Sequence, residues 1–146
     1  MKDKIKVYLG LIEKNNNLIG ILGLFDDSGE FYKGYKKHFS KKENINEASL
    51  SVYRWGISRL RLLHQNSKIK TSSYNIFIDN KTIFDFIEKE DCKKELIKNF
   101  ITLSLELSVL PVYTEIIYKA DINDYLNYSF ELISKETNYL NIKSIF

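Results

Sequence analysis

Few side chains of this chain are equipped for chemistry, and one of them sits where two patterns meet. Residues 72–90, SSYNIFIDNKTIFDFIEKE, pass from strand-like alternation into helical spacing with a lone carboxylate, Asp79, at the change. A carboxylate there is either a hard oxygen ligand at a strand end or the N-cap of the following helix. Glu47 poses a similar choice in NINEASL, where Asn44 can cap a helix and Glu47, three residues on, can reach back and meet the positive end of the dipole. His38 and His64 are the only imidazoles, and neither has a partner nearby in sequence. Surface or structural roles are expected for both, with a proton favoured on His64 by its helix-end position. No Ser or Cys stands beside an evident base, so nucleophilic catalysis is not expected. Gly10, Gly20 and Gly23 fall within strands, lack the spacing of a phosphate loop, and are expected to allow bulges or close backbone approach.

The densest positive cluster comprises Lys33, Lys36, Lys37, Lys41 and Lys42 with Arg54, Arg59 and Arg61. Lys36, Lys37, Lys41, Lys42, Arg54 and Arg59 are the candidates for tracking a phosphate backbone, with Tyr32, Tyr35 and Trp55 available for stacking. The alternative is a solvated face, since alternating Lys also protects an edge strand from pairing. Net charge is +3, from 22 Lys and Arg against 19 Asp and Glu, which permits contact with nucleic acid without requiring it. The one cysteine, Cys92, can form no internal disulfide and has no second soft ligand for zinc, so a reducing, cytoplasmic location is expected. No stretch approaches the roughly 20 apolar residues of a membrane span, and no membrane partner is expected.

The elements that must position these residues follow from the hydrophobic patterns. IKVYLGLI at 5–12, LIGILGLF at 18–25 and FYKGYKKHFS at 31–40 read as three antiparallel strands joined by Asn-rich and Asp-Ser-Gly turns. A long helix follows, with Leu50, Tyr53, Ile57 and Leu60 at helical spacing. YNIFI is a strand and NKTIFDFIEKE a short helix; CKKELIKNFITLSLELSVL is a longer helix ended by Pro111, its apolar face available to the core or to a partner. VYTEIIYKA is the last strand, and a final helix over 121–140 carries Tyr125, Tyr128 and Phe130, expected in the core. The order βββαβααβα, with no linker or repeat, predicts one domain over 1–146 with a short C-terminal tail from about 136, built on a mixed sheet flanked by helices.

That order, with the acids at its joints, resembles the ribonuclease H-like superfamily, an α/β fold with a five-stranded mixed sheet, over roughly residues 4–135. The resemblance implies four carboxylates holding two divalent ions, Mg or Mn, on the first strand, near the start of the first helix, at the end of the fourth strand and near the start of the last helix. Glu47 and Asp79 match two of these places and become the candidate catalytic and metal-binding residues. Gly10, flanked by Leu9 and Leu11, stands where the first acid is expected, and Asn127 of NDYLN stands where the fourth is. Asp124, Asp121 and Glu13 are possible substitutes, and the loop KADIND lacks the histidine that many active members carry.

The function this implies is a catalytically impaired ribonuclease H-like domain, not expected to be an active nuclease, that associates with RNA, DNA or RNA/DNA hybrid or with a protein partner. The first rival is a divergent two-metal nuclease that rebuilds its site and cleaves RNA in hybrids or another phosphodiester. The second is a scaffold or oligomerisation protein with no nucleic-acid role.

Overall fold

The computed structural model describes residues 4–40, 44–66 and 69–145, with side chains as far as 135. Strands β1 (Lys4–Lys14), β2 (Asn17–Phe25) and β3 (Phe31–Phe39) precede helix α1 (Ile45–Gln65). Then come β4 (Ser73–Ile78), α2 (Lys81–Lys89), α3 (Ile97–Ser108), β5 (Tyr113–Tyr118) and α4 (Asn123–Ile145). The five strands form one mixed sheet in the order β3-β2-β1-β4-β5. The β1–β2 and β2–β3 pairs are antiparallel, and β4 runs parallel to both β1 and β5.

Local chemistry explains the turns. Lys14 pairs with Asn17, so β1 and β2 are joined by two residues, Asn15 and Asn16, at φ 52° and 66°. Asn tolerates this left-handed conformation, and such a turn matches the twist of the hairpin. In the second turn Asp26 Oδ1 accepts from the backbone N–H groups of Ser28 and Glu30 at 2.9 and 3.1 Å.

β1 lies at the centre of the sheet, where Val7, Tyr8, Leu9 and Gly10 are all buried. A strand covered on both faces reads as a continuous apolar run, as IKVYLGLI does. Ile5, Val7 and Leu9 point to one face and pack with Leu22, Leu24, Tyr74 and Ile76 beneath Leu50, Tyr53, Ile57 and Leu60 of α1. Ile83 of α2 and Leu103 of α3 join the same core. Tyr8 and Ile12 point to the other face and pack with Ile19, Ile21 and Phe25 against Ile122 and Leu126, at the start of α4. α1 approaches β1 closely at Gly56, where a Cβ would stand 2.3 Å from Leu9 Cδ1.

Three expectations are corrected. α4 continues to Ile145 instead of ending at 140, because no Gly or Pro follows Pro111 to stop it. α3 begins at Ile97 rather than at 92, behind a 3-10 turn at Lys94–Leu96. Tyr125 and Tyr128 are 37% and 53% exposed instead of core, although the Tyr125 ring lies flat on Tyr8 with centroids 4.0 Å apart.

Candidate functional site

Asp79 follows the last residue of β4 and precedes α2. It does not cap that helix. The N-cap is Asn80, whose Oδ1 accepts from Ile83 N at 3.0 Å. Asn80 Nδ2 donates to Asn46 Oδ1 at 2.9 Å and to Ser49 Oγ at 3.1 Å, tying the start of α2 to the first turns of α1. Tyr53 OH donates to Asp79 Oδ1 at 3.3 Å and accepts from Asn80 N at 3.2 Å. Sequence alone does not mark Tyr53 or Asn80 as a site residue: Tyr53 lies in a core pattern, and Asn80 adjoins Asp79, which is also able to cap.

Burial raises the Asp79 carboxyl above the ordinary aspartate value and outweighs the hydrogen bonds from its own N–H and from Tyr53 that favour the anion. Desolvation, with the Asp79 charge second, likewise holds the Tyr53 phenol well above its usual range. The pair is therefore a carboxyl group that takes up a proton readily beside a phenol that keeps its own. Asp79 lines a cleft of about 320 Å³ with Asn46, Ser49, Asn80, Lys81 and Leu11 among others.

Gly10 faces this carboxyl from β1. A Cβ built on Gly10 would lie 3.5 Å from Asp79 Oδ1, 2.9 Å from Leu126 Cδ1 and 3.5 Å from Ile122 Cδ1. The nearest side chains of α4 are thus two buried aliphatics, each one residue before Asn123 and Asn127. Asn127 turns its Nδ2 to the carbonyl of Asn123 at 2.9 Å.

Glu47 is half-buried in the first turn of α1, whose N-cap is Asn44, with Oδ1 accepting from Asn46 N at 2.8 Å. Asp121 and Asp124 are exposed around the start of α4. Glu13 stands on the α1 face of β1, opposite to Gly10. Among the described residues no group of three or more His, Cys, Asp or Glu side chains could hold a metal ion together. Two dications roughly 3.5–4 Å apart need bridging negative charge. Gly10, which stands beside Asp79 and has Ile122 and Leu126 as its neighbours from α4, supplies no such charge.

The basic cluster divides between the two faces of the sheet. Lys37, Arg54 and Arg59 line one groove of about 410 Å³ with Phe39, Trp55 and Glu106. Glu106 is engaged by Arg61 at 2.8 Å, and among the described residues no carboxylate pairs with Lys37, Arg54 or Arg59. Arg54 donates one terminal N–H to Asn99 Oδ1 at 2.6 Å, while its Nε is buried without a partner. The Arg59 guanidinium stands 5.1 Å from the centre of the Tyr35 ring, and the Trp55 ring meets Phe39 edge-on. Lys36 belongs to the opposite face, with Nζ 3.2 Å from Ser134 Oγ and 5.0 Å from the centre of the Phe130 ring. Strand alternation separates it from Lys37. Lys41 and Lys42 lie outside the described residues.

His38 is exposed. His64 packs edge-on against Tyr74 with Nε2 buried and unpartnered, and burial lowers its pKa, so its environment opposes the proton expected from its helix-end position. No helix among the described residues is long and apolar enough to cross a membrane.

No protein-family model matches this sequence, and no curated protein is significantly similar to it. Solved structures do match. RNase H1 of the archaeon Halobacterium salinarum aligns with a TM-score of 0.63 at 9% identity, covering 88% of this chain and 98% of its own. The N-terminal RNase H domain of a Mycobacterium tuberculosis protein gives 0.62 at 10% identity, covering 84% and 92%. LC11-RNase H1, solved in complex with RNA/DNA hybrid, gives 0.66 at 10% identity, covering 88% and 92%. With strand order, sheet polarity and helix placement in agreement, the chain has the ribonuclease H-like fold.

Proposed function

We propose that this ribonuclease H-like domain binds nucleic acid through its phosphate backbone and does not turn it over by two-metal hydrolysis. The observation that carries the reading is the groove between β3, α1 and α3, where Lys37, Arg54 and Arg59 have no carboxylate partner among the described residues and Trp55 lies among them. Such a surface suits a polyanion, because each phosphate contact releases condensed counterions and an aromatic ring can stack on a base or sugar. A structural neighbour solved with an RNA/DNA hybrid supports that class of ligand. Impaired catalysis is inferred from Gly10 beside Asp79, with Ile122 and Leu126 of α4 packed against that glycine, none of which supplies bridging charge.

The test pairs binding with cleavage, using labelled RNA/DNA hybrid, duplex DNA and single-stranded RNA in the presence of Mn²⁺. Salt-sensitive binding without cleavage is expected. Absence of binding even at low salt would remove the nucleic-acid role and leave a scaffold.

A second reading is favoured by one observation, the half-buried Asp79 carboxyl whose charged form is disfavoured by its surroundings. Carboxyls perturbed by burial beside a specific partner are candidates for functional sites. In this reading Asp79 and Glu47 hold a single Mg²⁺ or Mn²⁺ in a divergent nuclease, with water and substrate phosphate completing its shell. Metal-dependent cleavage lost in both Glu47→Ala and Asp79→Ala would establish it.

A further inference from the structure

α3 uses one side for the core and leaves another bare. Phe100 and Leu103 are buried, whereas Ile97, Ile101, Leu105 and Val109 stand at four-residue intervals with 40%, 50%, 62% and 56% of their surface exposed. Scattered apolar residues on a surface are ordinary, but a contiguous row marks a contact surface. Ser104 and Ser108 are also exposed on this side, and no carboxylate interrupts the row.

We propose that α3 pairs antiparallel with α3 of a second copy of this chain about a twofold axis. The spacing is self-complementary. An axis level with residue 103 sets Ile97 against Val109 of the other copy and Ile101 against its Leu105. Rows spaced by four residues on two helices interdigitate at a crossing near −50°. The exposed parts of the four side chains amount to about 300–400 Å² of apolar surface per copy, the centre of an interface whose standard size is roughly 800 Å² per partner. A reversible dimer of modest affinity follows.

Charge specifies both the partner and the direction. α3 has no acidic residue in its first turn and no basic residue in its last. Lys98, exposed in the first turn, lies at the positive end of its own helix dipole, where a cation is unfavourable. Antiparallel pairing moves each Lys98 beside the carbonyl-rich end of the other α3, which has no cation of its own. A parallel pair would bring the two lysines together.

Sedimentation equilibrium of the full chain, from low micromolar to several hundred micromolar, tests the proposal. The wild type should pass from monomer to dimer, and Leu105→Lys should remain monomeric with an unchanged thermal midpoint at low concentration. Lys98→Glu provides the sharper readout. It relieves an unfavourable charge within its own helix, so the monomer should melt no lower, yet it places an anion at the carbonyl end of the partner helix and should weaken association at least several-fold. A wild type monomeric throughout, or a dimer indifferent to Leu105→Lys, overturns the proposal. So does a dimer strengthened by Lys98→Glu, which would mean parallel pairing.

Discussion

Asp79 presents two roles with opposite thermodynamic signatures. A capping carboxylate stabilises the fold in its charged form, but Asn80 takes the cap and leaves Asp79 half-buried, with its pKa raised by desolvation. A raised folded-state pKa means that the folded chain holds this proton more tightly than the unfolded one. The resulting stability is fully present below the ordinary aspartate pKa, about 3.9, and is lost as pH rises through the higher folded value. Asp79→Asn keeps an oxygen acceptor for the Tyr53 hydroxyl and removes the buried charge. It should raise the melting temperature at neutral pH, with the difference disappearing in acid, as thermal melts of both proteins across pH will read. A variant less stable than wild type at neutral pH would make Asp79 a structural support. Gly10 offers the converse case, because Gly10→Asp puts a second carboxylate beside Asp79 and a Cβ against Leu126. Overpacking alone should destabilise the protein by about 1–3 kcal/mol. In urea denaturation, adding Asp79→Asn should recover part of that loss by removing the repulsion, whereas additive effects would mean that the two side chains do not meet.

The junction of α2 with α1 depends on one amide. Asn80 caps α2 through Oδ1 and uses Nδ2 to reach Asn46 and Ser49 of α1. Asn44 makes a comparable cap for α1 at an exposed position and, among the described residues, does not reach another helix. Loss of a cap typically costs about 1 kcal/mol. Asn80→Ala should therefore cost about 2–3 kcal/mol once the partly buried acceptors on α1 lose their donor, against about 1 kcal/mol for Asn44→Ala. Urea unfolding of the two variants separates a cap that also joins helices from one that does not; equal losses would mean that water replaces the Asn80 link. The strands and helices were legible because each carries its own period, and the Asn15–Asn16 turn was legible because those residues accept positive φ. The site was less so. Asp79 and Asn80 are both able to cap, and only the point where β4 ends decides between them. On α4, Ile122 and Leu126 share the four-residue spacing of Asn123 and Asn127, so sequence does not reveal which pair faces Gly10. The lysines form one cluster in sequence but two surfaces in space, because adjacent strand residues face opposite ways, a division that strand alternation alone discloses.

Across the whole molecule that division becomes an experimental control. A net charge of +3 attracts nucleic acid weakly wherever it is placed, so binding alone does not identify the groove. Lys36 and Lys37 contribute the same charge from neighbouring positions of β3, one toward α4 and the other into the groove with Arg54 and Arg59. If the groove is the contact surface, about three phosphate contacts should give log K a slope of about −2 to −3 against log salt concentration. Lys37→Ala and Arg59→Ala should each weaken binding across sequences and reduce the slope by about 1, while Lys36→Ala changes neither. Fluorescence anisotropy of a labelled RNA/DNA hybrid titrated at several salt concentrations measures all three. Equal effects of Lys36→Ala and Lys37→Ala would assign the affinity to overall charge, because diffuse attraction does not distinguish one face of a strand from the other. Unequal effects in the expected order require a ligand seated on the α1 side of the sheet, since the variants differ in facing and hardly at all in total charge.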